Sequence, residues 1–141
     1  MLYILNPDQM LFNLTVFEEV AFGIKNIHLQ NVKERVEEAL RLVGLKGFEN
    51  NDPQSLSFGQ KQKLCLACVL AMDSSYIVLD ELTSMLDYKS TVQLYEILVR
   101  LQKRGKTIIM IEHDTDWLAT YADTVAIFHE GIIRLIGKPK D

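Results

Sequence analysis

Residues 56–81, LSFGQKQKLCLACVLAMDSSYIVLDE, decide the fold, because they place a helix start and a strand end close together in the chain. Ser57 and Gln60 form a capping box, which predicts that a helix begins directly after Ser57. The missing side chain at Gly59 lets an anion approach the backbone of that first turn. Such a helix start presents unpaired N–H groups and about half a positive charge. The segment is therefore either an ordinary capped helix or an anion-binding helix tip.

Two acidic residues end the strand that follows this helix. The strand, residues 76–79, has four apolar residues in a row, as in a strand covered on both faces, and Asp80 and Glu81 come next. In α/β proteins, ligands bind outside the carboxyl ends of parallel strands. A solvated strand end is the alternative for these acids taken alone, but their closeness to the helix tip favours a ligand site.

The rest of the second half alternates between helices and strands. Asp87 is the predicted N-cap of a helix over residues 88–104, and His113 follows the next strand, so that it shares an edge of the sheet with the two acids. The further elements are a strand at 106–111, a helix at 115–121, and a terminal hairpin of strands 124–129 and 132–136. Strands separated by helices predict crossover connections and a largely parallel sheet.

The first half is predicted to be mostly helical between residues 13 and 72. Thr15 begins a short helix that ends near Phe22, and Asn31 begins a second helix that Gly44 closes. The predicted fold class is α/β, with a partly parallel sheet and a helical subdomain. We divide the chain into residues 1–75, the helical part, and residues 76–141, the sheet part.

Composition excludes several classes of protein. The 141 residues are 48% hydrophobic and 24% charged, which is typical of a folded globular domain. The net charge of −4, with no basic block, argues against nucleic acid as a partner. The longest apolar run, residues 64–72, is too short to span a membrane, and no signal peptide precedes it. A cytoplasmic location is expected, with Cys65 and Cys68 as buried reduced thiols.

The quoted segment, extended to LSFGQKQKLCLACVLAMDSSYIVLDELTSMLD, resembles the signature, Walker B and D-loop block of an ABC ATPase. TIIMIEHD resembles the histidine switch of that family. NPDQMLFNLTVFEEVAFG and VKERVEEALRLVGL resemble the cobalt and energy-coupling-factor type of transporter ATPase. The resemblance covers nearly the whole chain in order, and it implies a P-loop NTPase core.

The resemblance assigns a role to each matching position. Ser57, Phe58, Gly59 and Gln60 would bind the γ-phosphate of ATP held by a facing subunit. Asp80 would hold Mg²⁺ through water, Glu81 would deprotonate the attacking water, and His113 would contact the γ-phosphate. Asp87 would couple the two sites across the dimer. Phosphoryl transfer is catalysed by positioning and charge neutralisation, for which these groups are suited.

The Walker A element of the family is absent from these 141 residues. A P-loop needs G-x-x-x-x-G-K-[ST] between a strand and a helix. Gly105-Lys106-Thr107 fails on both counts, since Arg100 stands where the first glycine is required and the triplet follows a helix. The Q-loop glutamine is replaced by Leu5, Phe58 replaces a signature glycine, and Leu82 replaces the proline after Glu81.

The resemblance predicts a partial ATP-binding subunit of an ABC-type importer, which contributes signature and Walker B elements to transport-driving ATP hydrolysis and is inactive alone. The expected partners are a second ABC ATPase subunit, identical or different, and a transmembrane coupling protein at the inner face of the membrane. One alternative is the carboxyl-terminal lobe of an SMC-type DNA-associated ATPase. Another is a non-catalytic binding remnant.

The missing strands of the family fold predict an exposed sheet edge and bare apolar faces. Exposed strand edges and apolar patches promote association. We therefore expect the isolated chain to self-associate, to exchange elements, or to require a complementary N-terminal segment.

Overall fold

A computed structural model describes residues 7–83 and 86–139. Their contacts form two compact units that divide between Ile111 and Glu112, and each unit is described by itself. The first unit contains helices α1 (Pro7–Met10), α2 (Val16–Asn26) and α3 (Val32–Val43), a 3₁₀ turn (Pro53–Ser55), α4 (Phe58–Ala71), β1 (Tyr76–Asp80), α5 (Tyr88–Lys103) and β2 (Thr107–Ile111). The second unit contains α6 (Thr115–Tyr121), β3 (Val125–His129) and β4 (Ile132–Gly137). The proposed division at residue 75 stays a prediction.

Helix α2 begins where the capping signal predicted and continues past the expected end near Phe22. The Thr15 hydroxyl oxygen accepts the N–H of Glu18 at 3.1 Å. The apolar stripe continues through Ile24, which is fully buried, and its burial stabilises the additional turn. Gly23 lies inside the helix where a larger side chain would not fit, because a Cβ there would be 2.7 Å from the sulfur of Met72.

Helix α3 has the predicted ends and a different cap. Asn31 precedes it with a left-handed φ of 58°, and among the described residues its side chain makes no capping hydrogen bond. Gly44 ends the helix at a φ of 76°, the conformation that glycine adopts without strain. The helix buries the apolar residues Val36, Ala39, Leu40 and Val43, while Val32 is half-buried.

Helix α4 is the central helix of the first unit and packs against both α2 and α3. Its buried side chains are Gln62, Leu64, Cys65, Leu66, Ala67, Val69 and Ala71. Both cysteines are free thiols; Cys65 is buried as predicted, whereas Cys68 is half-buried. Burial, with a smaller contribution from Cys65, raises the pKa of the Cys68 thiol well above its usual value, which keeps it protonated and unreactive at neutral pH.

Strands β1 and β2 pair in parallel, and α5 is the crossover between them. The register runs from Tyr76 opposite Thr107 to Asp80 opposite Ile111. Residues 77–79 are buried, whereas Tyr76 is 61% exposed, so the prediction of four covered residues was wrong at the first of them. Tyr76 lies at the start of the strand, where its ring reaches the surface.

The second unit confirms the predicted hairpin. Strands β3 and β4 are antiparallel, and the two residues between them, Glu130 and Gly131, have φ angles of 51° and 77°. Two successive positive φ angles are the mark of a type I′ turn, which matches the twist of a hairpin. Large apolar side chains are exposed along both strands: Ile127, Phe128, Ile132, Ile133, Leu135 and Ile136.

Candidate functional site at the first turn of α4 and the end of β1

The start of α4 is a complete capping box on the protein surface. The Ser57 hydroxyl oxygen accepts the N–H of Gln60 at 3.3 Å, and the Gln60 amide oxygen accepts the N–H of Ser57 at 2.9 Å. Ser57 is exposed, so this helix tip faces solvent rather than the core. The N–H groups of Phe58 and Gly59, at the first two helical positions, have no acceptor within the helix. The tip can therefore receive an acceptor from outside.

Gly59 allows the first turn of α4 to approach the segment that begins α5. A Cβ on Gly59 would lie 3.3 Å from Cδ2 of Leu86 and 3.6 Å from the Ser90 hydroxyl oxygen. The space that this glycine leaves is therefore turned towards α5, a neighbour that the sequence analysis did not anticipate. Lys63 and Gln93 join the same two helices through a hydrogen bond of 2.7 Å.

Asp87 is the N-cap of α5, as predicted. Its Oδ1 accepts the N–H of Ser90 at 2.7 Å. That backbone hydrogen bond, followed by one from the Ser90 side chain, lowers the pKa of the Asp87 carboxyl. The carboxylate is thus held ionised at the start of α5, beside the tip of α4.

Asp80 and Glu81 lie at the carboxyl end of β1, where the sequence placed them. Asp80 is half-buried and opposite Ile111, the last residue of β2. Glu81 is exposed, has a left-handed φ of 47°, and donates its N–H to the Ile111 carbonyl at 3.1 Å. Leu82 is buried directly after it. Backbone strain of this kind in a non-glycine residue is concentrated at functional sites in proteins.

His113 belongs to the second unit, two residues after the end of β2. Its backbone N–H donates to Oε1 of Glu112 at 2.9 Å, and the N–H of Asp114 donates to the same oxygen at 3.3 Å. Asp114 in turn caps α6 by accepting the N–H of Asp116 at 2.9 Å. The turn that carries the histidine is therefore fixed by two carboxylates. That His113 shares a site with the acids of β1 stays a prediction.

Gly105-Lys106-Thr107 lies between α5 and β2, in the helix-to-strand order that led us to reject it as a P-loop. The Lys106 ammonium lies 2.6 Å from Oδ1 of Asp73 and also donates to the Asp73 carbonyl at 3.2 Å. Its role in the described structure is to join the end of α4 to the start of β2.

Comparison with known proteins identifies the family. The sequence profile of ABC transporters matches residues 2–84, more than half of the chain. The chain belongs to the ABC transporter family. Neither this match nor the relatives described next support the SMC alternative.

Two curated ABC transporter relatives match over nearly the whole chain. An ABC transporter ATP-binding protein of Pyrococcus furiosus is 47% identical over 134 residues, which is 94% of this chain and 52% of that protein. The energy-coupling factor transporter ATP-binding protein EcfA of Methanocaldococcus jannaschii is 45% identical over 138 residues, 96% of this chain and 50% of that protein. The chain spans about half the length of the curated relatives it matches.

A solved ABC transporter structure has the same fold. It is cbiO1 of Clostridium perfringens, part of the ABC transporter complex cbiONQ, with a TM-score of 0.87 and 37% identity. The match covers 96% of this chain and 55% of that one. The predicted α/β fold of the ABC ATPase type is thereby confirmed.

Several structural residues escaped the sequence analysis. Ser90, which holds Asp87, carries no signal beyond its position after a cap. Buried Glu19 and exposed Gln54 accept from or donate to backbone groups of residues 11–13. These hydrogen bonds depend on how the chain folds back on itself, which the sequence around each residue does not show. The substituted Q-loop position, Leu5, lies outside the described residues.

Across the described ranges, no helix is long and apolar enough to cross a bilayer.

Proposed function

We propose that this chain forms part of the ATP-binding subunit of an ABC-type importer of the energy-coupling-factor type, and supplies signature and Walker B elements to the ATP hydrolysis that drives transport. The observation that carries the proposal is the solvent-facing capping box at the start of α4, on the same unit as the strand-end acids Asp80 and Glu81. The names of the two curated relatives, an ABC transporter ATP-binding protein and EcfA, support the choice of ATP and of this importer type.

The α4 tip has the groups that a terminal phosphate needs. The Ser57 hydroxyl oxygen is already an acceptor for the Gln60 N–H, so its proton is available to donate to a phosphate oxygen. The N–H groups of Phe58 and Gly59 add two donors, and the helix dipole favours the negative charge. Because this tip faces outward, it would bind a nucleotide held by a facing subunit.

The acids at the end of β1 suit the other half of the reaction. Magnesium usually takes one or two carboxylates together with waters and phosphate oxygens, and the single half-buried carboxylate of Asp80 fits that requirement. The described residues contain no group of three or more metal-binding side chains, and a site in which waters and phosphate oxygens supply most ligands does not require one. When bound, magnesium would neutralise phosphate charge. Exposed Glu81 would accept a proton from an attacking water.

Two further positions have proposed roles in the same reaction. Asp87, held ionised at the start of α5, would contact the facing subunit beside the α4 tip. His113, on a turn fixed by Glu112, would contact the γ-phosphate through its imidazole. The facing subunit is either a second copy or a different ABC ATPase.

The membrane partner would contact the helical part of the first unit. Phe12 is 65% exposed and packs edge-on against Phe22 at a centroid distance of 4.9 Å, and Leu14 beside it is also exposed. An exposed apolar patch of this kind is typical of an interaction surface. We assign it to a helix of a transmembrane coupling protein, which places the chain at the inner face of the membrane. The transported substrate, cobalt or a vitamin in such importers, would be selected by another polypeptide.

The proposal is tested by mixing the chain with a full-length EcfA subunit that has its own Walker A. We expect ATP-dependent association by light scattering, abolished by Ser57→Arg, because the longer side chain would occupy the phosphate position. Ser55→Arg is the matched control, since Ser55 is also exposed but its hydroxyl donates to the Asp52 carbonyl. Association that does not depend on ATP would refute the proposal. So would an equal loss of association in Ser57→Arg and Ser55→Arg.

Hydrolysis distinguishes an active subunit from a non-catalytic binding module. The chain contains no G-x-x-x-x-G-K-[ST], so we expect no phosphate release by the chain alone. In the mixture with EcfA, Glu81→Gln should lower phosphate release by about 10²–10⁴ at the sites completed by this chain, the usual cost of losing a general base. Association without any effect of Glu81→Gln would support the binding module.

A further inference from the structure

Gln54 joins two parts of the helical region through the two ends of its amide. Its Nε2 donates to the carbonyl of Leu11 at 2.9 Å, and its Oε1 accepts from Nζ of Lys61 at 3.0 Å. The backbone of Gln54 is itself fixed in the 3₁₀ turn, because Oδ1 of Asp52 accepts its N–H at 2.8 Å. One side chain thus connects the segment after α1 with the first turns of α4.

The segment at residues 11–13 is held on its other side by a buried carboxylate. Glu19 is 5% exposed, and its Oε2 accepts the N–H groups of Phe12 at 2.9 Å and Asn13 at 2.8 Å. Hydrogen bonds to an ionised acceptor are stronger than neutral ones, and a buried carboxylate requires them. Leu11 is buried while Phe12 is exposed. Because both ends of this segment are held in place, a displacement of Phe12 would also move the neighbouring Leu11 carbonyl.

Lys61 connects the other end of the Gln54 amide to the phosphate-binding tip. Its backbone N–H donates to the carbonyl of Ser57 at 2.8 Å, the first hydrogen bond of α4. The contacts from Phe12 through Gln54 and Lys61 to Ser57 are continuous. They join the exposed apolar patch to the capping box.

We propose that Gln54 is a positioning residue that couples the Leu11–Asn13 segment to the Ser57 tip of α4. The functional meaning rests on the proposed function above: contact of a membrane partner with Phe12 would shift the groups that bind phosphate, and phosphate binding would shift the patch. Such coupling requires a contiguous link that both sites bias, and it is reciprocal. The Gln54 amide is suited to the role because only a side chain with both a donor and an acceptor can make both bonds.

Amide hydrogen exchange of the chain tests this link without nucleotide or partner. Glu19→Gln weakens the hold on residues 12–13, and we expect exchange there to rise roughly tenfold or more. When Gln54 is present, exchange of the Ser57 and Gln60 amides, the two hydrogen-bonded N–H groups of the capping box, should rise as well. Gln54→Glu keeps the acceptor for Lys61 and loses the donor to Leu11. Adding it to Glu19→Gln should therefore leave exchange at residues 12–13 fast and return exchange at Ser57 and Gln60 to its unperturbed rate. Exchange in α3 reports any global loss of stability.

Gln93→Glu is the matched control, because Gln93 also accepts from a lysine of α4 and the substitution adds the same charge. It should leave the response of the Ser57 and Gln60 amides to Glu19→Gln unchanged. Lys61→Met, which removes the other bond, should suppress the response as Gln54→Glu does. The proposal would be overturned if Glu19→Gln still raised exchange at the capping box in both Gln54→Glu and Lys61→Met. It would also be overturned if Glu19→Gln did not raise that exchange when Gln54 and Lys61 are both present. Failure of ATP-dependent association alone would refute the proposed function and leave the link standing.

Discussion

Glu81 donates its backbone N–H to the carbonyl oxygen of Ile111 at 3.1 Å, while its own φ angle is 47°. The hydrogen bond extends the β1–β2 pairing one residue beyond β1, to the residue that would act as the base. A left-handed conformation costs a side chain such as glutamate about 1–2 kcal/mol. The parallel pairing and the burial of Leu82 directly afterwards hold Glu81 in place in spite of that cost.

The strain at Glu81 predicts that asparagine stabilises the protein there. Asn adopts a positive φ more readily than Glu, so Glu81→Asn should raise the free energy of unfolding by roughly 0.5–1 kcal/mol. Denaturant unfolding of the two proteins measures the difference. Glu81→Gln is the control, since it removes the same charge without the gain in conformation. Equal stability of the Asn and Gln variants would show that Glu81 is not strained.

The contact of Gly59 with α5 predicts a graded response to larger side chains. In Gly59→Ala the new Cβ would lie 3.3 Å from the flexible end of Leu86, so stability should change by less than about 1 kcal/mol, with the gain in helix propensity offsetting the crowding. Gly59→Val should cost about 1–3 kcal/mol, because its branched side chain cannot avoid both Leu86 and Ser90.

Thermal unfolding of the two Gly59 variants measures the contrast. Gly137 offers a comparison, since a Cβ there would meet nothing within 4 Å, and Gly137→Val should cost much less than Gly59→Val. Similar costs at both positions would mean that α4 and α5 do not approach closely at Gly59.

The ion pair between Asp73 and Lys106 predicts a pH-dependent contribution to stability. The hydrogen bond from Lys106 lowers the pKa of the Asp73 carboxyl from its ordinary value of 3.8. A lowered pKa in the folded state means that the contribution is present above pH 3.8 and is lost as the pH falls through the lower folded value. The Asp73 side chain is 65% exposed, so solvent screening limits the contribution to less than about 1 kcal/mol.

Asp73→Asn should therefore lower the free energy of unfolding at pH 7 and have little effect once the pH is below the folded pKa. Denaturant unfolding at several pH values follows the difference. Glu37→Gln is the control, because its ion pair with Lys33 is longer, at 3.8 Å, and lies on the surface of one helix. A cost of Asp73→Asn that does not depend on pH would contradict the ion-pair contribution, and a backbone effect would not explain it, since asparagine tolerates the left-handed φ of 57° at this position as well as aspartate does.

The local signals of the sequence were sufficient for the elements and for the order of the candidate site. Capping at Ser57 and Asp87 depends on residues within one turn, and it appears in the structure as predicted. The positive φ of Glu81 and the approach of Gly59 to Leu86 depend on packing between separate segments, which no local pattern records. The same holds for Gln54, whose partner Leu11 is distant in the chain.

Resemblance to a family supplied what local patterns could not. Roles for Asp80 and Glu81 followed from the signature and Walker B pattern, and family membership is confirmed by the profile match. A run of four apolar residues predicted that all four would be buried, but Tyr76, the first residue of β1, is exposed because neighbouring elements do not pack over it. Patterns of four residues are too short to predict where such cover ends.

The exposed apolar strands of the second unit predict that the chain associates with itself. Phe128 is 67% exposed and Leu135 is 62% exposed on the β3–β4 hairpin, more than a soluble monomer ordinarily presents in one place. Sedimentation velocity in the micromolar range should show oligomers, and Leu135→Lys should shift the distribution towards monomer because burying a lysine at the contact is costly. Arg134→Lys, on the same strand, should have no effect. A monomer with a cooperative melt would contradict this prediction, since it would show that the hairpin is covered within one chain.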